Sequence, residues 1–118
     1  MRRLEGIRAT GKQALTATAE NGDLINITLY FQAATQEWKI DLSSGSFSLT
    51  GTRVFSSPNI LCQYEDLIPF GLGVITSDGG EPFLINDFSS GRVGLYILSP
   101  DEVSQVQDFY VSERDNEG

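Results

Sequence analysis

The sequence predicts an all-β fold: a single small antiparallel β-barrel or sandwich of about six to seven strands, with flexible termini. Three observations carry this. The stretch LINITLYFQAATQEWKIDL, Leu24 to Leu42, alternates apolar and polar residues with period 2, as half-buried strands do. Turn-forming pairs, Asn21-Gly22 and Ser44-Gly45, fall between the alternating stretches. No segment sustains a helical period, and short strands separated by turns argue for a sandwich or barrel.

Taken in order, Gln13 to Ala19 (QALTATA) alternates weakly and reads as a strand. Asn21-Gly22 predicts a type I′ hairpin, since both residues accept positive φ. Leu24 to Gln32 is the next strand, with Ile25, Ile27, Leu29 and Phe31 on one face and Asn26, Thr28 and Tyr30 on the other. Glu37 to Ser43 follows, its Trp38, Ile40 and Leu42 opposed to Lys39 and Asp41. Ser46 to Phe55 places Phe47, Leu49 and Phe55 at one parity, and Gly51 marks a candidate bulge. SSPNILCQYEDLIPFG carries Pro58 and Pro69 and reads as a crossing segment along the sheet edge, because proline removes a ladder donor. Leu72 to Thr76 is a short buried strand, and Ser77 to Gly80 a turn. Phe83, Leu84, Ile85 and Phe88 are expected as apolar anchors of a second irregular loop. Arg92 to Leu98 is the last strand, with Val93, Leu95 and Ile97 on one face, and Pro100 ends it. Residues 101 to 110 read as one helical turn or a final short strand, and SERDNEG as an acidic tail. The organisation expected is an N-terminal arm (1–11), one β-domain (12–100) and a C-terminal extension (101–118).

Composition narrows the function. The 118 residues hold 16 acids against 8 bases, a net charge of −8, which disfavours nucleic acid as a partner. Arg2, Arg3, Arg8 and Lys12 gather at the start; Asp101, Glu102, Asp108, Glu113, Asp115 and Glu117 crowd the end, with Arg114 the only base among them. The two ends read as solvated tails or, alternatively, as surfaces that match head to tail between copies. No apolar run suffices for a bilayer, so no membrane partner is expected. MRRLEGIRATGKQ lacks the apolar stretch of a signal peptide. The lone Cys62 forms no internal disulfide, consistent with a reducing cytosol.

The chemical inventory is sparse. With no histidine, Ser-His-Asp and Cys-His arrangements within one chain are ruled out, and one cysteine does not make a zinc set. Cys62, in the apolar stretch NILCQY, is expected to be a buried small residue rather than a nucleophile. Glu65 and Asp66 are adjacent and diverge on a strand. Asp78 and Glu81 flank Gly79-Gly80 without the spacing of a calcium loop, and Asp and Gly there read as building a turn. Gly71 and Gly73 precede a strand, the reverse of a phosphate loop. Tyr30, Tyr64, Tyr96 and Trp38 are candidates for stacking sugars, but Trp38 shares parity with Ile40 and Leu42 and is expected in the core. Tyr30 and Leu24 lie on a wetter face, as in a wall that a partner or loop covers. No catalytic, cofactor-binding or metal-ligating residue is therefore assigned, no cofactor is expected, and the protein is expected not to be an enzyme.

Several motifs in series carry a resemblance. A W-x-hydrophobic-D-hydrophobic strand spans Trp38 to Leu42. A G-x-R-hydrophobic stretch follows at Gly51, Arg53 and Val54. Pro69, Gly71 and Val74 mark a third piece, and Asp87, Phe88, Arg92, Val93, Leu95 and Ile97 a fourth. In this order, over about Gln13 to Ser99, the chain resembles the small plug domain of contractile-tailed phage baseplates, of the kind found in cyanophages. The resemblance implies a non-enzymatic structural component of the tail baseplate that fastens the central hub or spike to the tail tube and surrounding wedge. It implies multiple copies around the tail axis, other tail and baseplate proteins as partners, and a place in the virion after assembly in the bacterial host cytoplasm. The alternative is a small ligand- or carbohydrate-binding β-barrel module. A hydrolase working with bare carboxylates has no pair of acids to recommend it.

Overall fold

A computed structural model describes residues 2–64 and 67–106. Its strands are β1 (Arg2–Arg3), β2 (Lys12–Thr18), β3 (Leu24–Gln32), β4 (Glu37–Ser44), β5 (Phe47–Arg53), β6 (Gly71–Thr76) and β7 (Val93–Leu98). One antiparallel sheet has the order β2-β3-β4-β5; the other has the order β1-β7-β6. The two form a sandwich around one core, to which both contribute.

The four-stranded sheet follows the sequence alternation. Leu29 pairs with Ile40 and Ile27 with Leu42, and these, with Ile25 and Trp38, are buried. A slip of one residue would turn this whole set to water, which pins the register. Trp38 is fully buried, its ring edge-on to Phe88 with centroids 5.1 Å apart and tilted against Phe31 at 5.4 Å. Its indole N–H donates to the Leu84 carbonyl at 2.9 Å, tying the meander to the loop of residues 81–91.

The turns differ in detail from expectation. Only Gly22 of the Asn21-Gly22 pair has positive φ, at 94°, so the turn is not type I′. The Gly22 N–H donates to the Ala19 carbonyl and the Ala19 N–H to the Asp23 carbonyl, which closes a three-residue loop with a left-handed glycine at its end. The Asn21 side chain explains the change: its Oδ1 accepts from the Asp23 N–H, an Asx interaction that holds Asn21 out of the left-handed region. Between β4 and β5, Gly45 takes φ 60° at the first of two loop positions, where a type II′ turn needs it.

Gly51 does form a bulge. Ile40 pairs with Thr52 but Leu42 with Leu49, so two residues of β5 face Asp41. Gly51 sits there at φ 66°, and its N–H donates to Asp41 Oδ1 at 2.8 Å. The extra residue reverses parity beyond it. Val54 is buried and Phe55, expected to share the face of Phe47 and Leu49, is 39% exposed.

The three-stranded sheet is built from distant parts of the chain. β6 and β7 pair from Gly71↔Leu98 to Thr76↔Val93. β1 lies on the other side of β7, with Arg2 opposite Ile97. The N-terminal arm thus belongs to the domain: Leu4 packs on the core and Ile7 enters it. The crossing segment runs along the free side of β6 as expected, Ser57 and Val74 exchanging both backbone hydrogen bonds. Of the expected loop anchors only Phe88 is buried; Phe83, Leu84 and Ile85 are each more than 40% exposed. The reason is Asp87, whose carboxylate takes the N–H groups of Phe83 and Leu84 and holds that turn by its backbone.

Among the described residues Asp87, Gln13 and Asn59 are the buried polar ones, and each binds an irregular segment to the sandwich. The Gln13 amide exchanges two hydrogen bonds with the backbone of Arg8, anchoring the arm. Asn59 Oδ1 accepts from the Leu61 and Leu72 N–H groups, clamping the crossing segment to β6. These contacts satisfy groups that would be costly to bury alone.

Residues 100–106 are helical. Ser99 and Glu102 form a reciprocal capping box: Ser99 Oγ accepts from the Glu102 N–H and Glu102 Oε1 from the Ser99 N–H. Pro100 ends β7 and begins the helix, the position where its missing donor costs nothing. The acidic tail from residue 107 on, and Glu65-Asp66, lie outside the described residues.

Candidate functional site

The sequence candidates are placed as follows. Cys62 is exposed, not buried, at the start of a 3₁₀ turn (Cys62–Tyr64); Leu61 beside it takes the interior position instead. Asp78 and Glu81 are both engaged, Asp78 within the turn and Glu81 on the crossing segment. Asp78 Oδ2 pairs with Arg92 Nε at 2.9 Å and Oδ1 accepts from the Gly80 N–H, while Glu81 Oε2 accepts from the Ser56 N–H at 2.7 Å. Among the described residues no group of three or more Cys, Asp or Glu converges as a cation site would require. Gly71 and Gly73 lie in β6, where a side chain at either would strike Asn59 or the Pro58 carbonyl. They permit close packing of the crossing segment against β6.

The tyrosines do not share a platform. Tyr30 lies on the outer face of the four-stranded sheet, its phenol donating to Asp41 Oδ1 at 3.3 Å. Tyr96 is on the other sheet, its ring lying over Gly94 where any Cβ would collide with it. Tyr64 packs against Phe47, centroids 5.4 Å apart.

Four of the motif residues, Asp41, Gly51, Asp87 and Arg92, meet in two polar clusters. In the first, Asp41 gathers the Gly51 bulge and Tyr30. Burial and the neighbouring Asp41 charge raise the Tyr30 phenol above its ordinary 10.0. In the second, Arg92 reaches Asp87 at 3.0 Å, Asp78 and the Glu81 carbonyl, and its guanidinium stands 4.8 Å from the centre of the Phe83 ring. The Arg92–Asp87 contact is an ion pair by distance without an aligned hydrogen bond. The hydrogen bond from Arg92, helped by the Gly80 N–H, draws the Asp78 carboxyl below its usual 3.8. The first holds the β5 bulge and the second the loop of residues 81–91, and neither presents a reacting group to a cleft.

What the surface offers is contact area. Leu24, Leu67 and the Phe83-Leu84-Ile85 run are exposed apolar residues. A groove of about 570 Å³ opens on the outer side of β6 and β7, lined by Pro58, Ile75, Leu98 and Val106 among others. The outer face of the meander carries a transverse row of Lys12, Tyr30, Lys39 and Arg53, each the register partner of the next. This row was hidden in the sequence, since its members are scattered from position 12 to position 53 and only strand pairing aligns them. No protein-family model matches this chain, and no curated protein matches it.

Proposed function

We propose that this protein is a structural component of a contractile phage tail baseplate, a plug-like domain that fastens the hub or spike to the tube and the surrounding wedge. It acts by binding other tail and baseplate proteins, in several copies around the tail axis, and neither catalysis nor a cofactor enters this role. The observation that carries the reading is the ordered motif series from Trp38 to Ile97, of which Asp41 and Gly51 meet at the β5 bulge and Asp87 and Arg92 at the loop of residues 81–91. Exposed apolar residues on loops, with Phe83, Leu84 and Ile85 adjacent in the chain, suit a protein gripped by neighbours. The scatter of Tyr30, Tyr64 and Tyr96 over separate surfaces weighs against the carbohydrate-binding alternative.

Cross-linking mass spectrometry on purified particles tests the proposal. Cross-links from this chain to hub, tube or wedge proteins are expected. Absence of the chain from purified tails, or a saturable thermal shift with one glycan in the free protein, overturns it.

A further inference from the structure

The outer face of the four-stranded sheet holds a charge pattern that neither core packing nor internal pairing accounts for. Lys12, Lys39 and Arg53 stand in one transverse row with Tyr30 between the first two. Lys39 and Arg53 are directly opposed, an arrangement that costs stability because like charges repel across a strand pair. Among the described residues the resolved ion pairs both belong to Arg92, and these three cations have no ion pair or hydrogen-bond partner there. Two acids share the face near them. Asp41 is engaged by Gly51 and Tyr30, and Glu37 lies two residues from Lys39 on β4. A chain of net charge −8 thus keeps three of its eight bases together on one face.

We infer that this row is a docking site for an acidic extended segment, and that the segment is the Glu113-Arg114-Asp115-Asn116-Glu117 end of a second copy of this chain. Charge and length both fit. Neighbouring strands lie about 4.8 Å apart, so Lys12 to Arg53, three strand steps, span about 14 Å. Bound in extended form, a segment of this sequence would set Glu113, Asp115 and Glu117 over about 14 Å on one side, since alternate residues of an extended chain share a side. The Tyr30 ring, its hydroxyl engaged by Asp41, offers a flat surface between two of the cations. Contacts of this kind are weak singly and gain strength when many copies are held together. The inference goes beyond the baseplate role and is tested on the pure chain, so either can fail while the other stands.

Sedimentation velocity of the full chain tests it. Concentration-dependent association is expected at about 50 mM salt, weakening about tenfold or more at about 500 mM as screening shortens the reach of these charges. K39E/R53E and E113K/D115K/E117K should each fold, judged by circular dichroism, and each remain monomeric alone. Mixed together they should associate, because the reversed charges match again. If K39E/R53E misfolds, competition by a synthetic peptide of residues 107–118 against the unaltered chain replaces that arm, and dissociation is expected. A monomer at every concentration, association that survives the tail substitutions, or failure of the swapped pair to associate overturns the inference. So does a duplex oligonucleotide that binds through Lys39 and Arg53 while copies of the chain do not associate.

Discussion

The two sheets of this sandwich are held together by different means. The meander β2-β3-β4-β5 is built from consecutive strands joined by short turns, and its order comes from alternating side chains. The sheet β1-β7-β6 joins the start, middle and end of the described chain. Its long connections are fixed by buried polar side chains, with Gln13, Asn59 and Asp87 each holding one. The contrast teaches that a small β-domain can carry long irregular loops when each has one well-satisfied polar clamp. The apolar surface then sets the fold, and the clamps set where the loops lie.

Substitutions separate the two modes. Trp38→Ala removes the largest fully buried side chain and strands the Leu84 carbonyl, and should cost about 3–5 kcal/mol, enough to unfold a domain whose whole stability is about 5–15 kcal/mol. Chemical denaturation should then show both sheets lost together, whereas an unchanged curve would place Trp38 outside the core. Asp87→Ala should cost about 3 kcal/mol, since it removes a buried ion-pair partner of Arg92 and leaves the Phe83 and Leu84 N–H groups without their acceptor. Its signature is faster amide exchange in residues 81–92 while β3 and β4 stay protected. Asn59→Ala should cost about 2 kcal/mol through the unpaired Leu61 and Leu72 donors, with exchange rising in residues 56–61 and at the edge of β6. Equal deprotection of both sheets in either variant would break the distinction. Removing residues 1–8 should lower stability as well as any assembly contact, because Ile7 is in the core and Arg8 is bound by Gln13.

The smallest effect is a pH dependence. The Asp78 carboxyl in the folded protein lies below its ordinary 3.8 because of Arg92. The stability it adds is therefore present above that ordinary value and lost as pH falls through the lower folded value. Asp78→Asn should flatten the fall in melting temperature between about pH 5 and about pH 2 relative to the unaltered chain. An identical slope would show that the pair is screened by solvent.

Period 2 and turn chemistry made the meander legible: Ile25 to Leu29 and Trp38 to Leu42 are buried as their alternation requires, and Gly51 bulges. Phe55 departs from its expected face because a bulge reverses parity, and that reversal depends on pairing rather than on local pattern. Arg2-Arg3 showed no strand signal, since two residues carry no period and their partner is Ile97. The helix at 100–106 has a readable start in Ser99-Pro100-Asp101-Glu102, a capping box with proline at the first turn, but Pro100 after a strand reads first as a stop. The basic row shares the difficulty of β1, since its neighbours are set by register.

The bulge at Gly51 has one further effect. It interrupts the outermost ladder of the meander, so the exposed margin of β5 does not offer the long even row of donors and acceptors on which a foreign strand could zip. The opposite sheet ends in a strand of two arginines. Both features work against joining margin to margin into runaway fibrils.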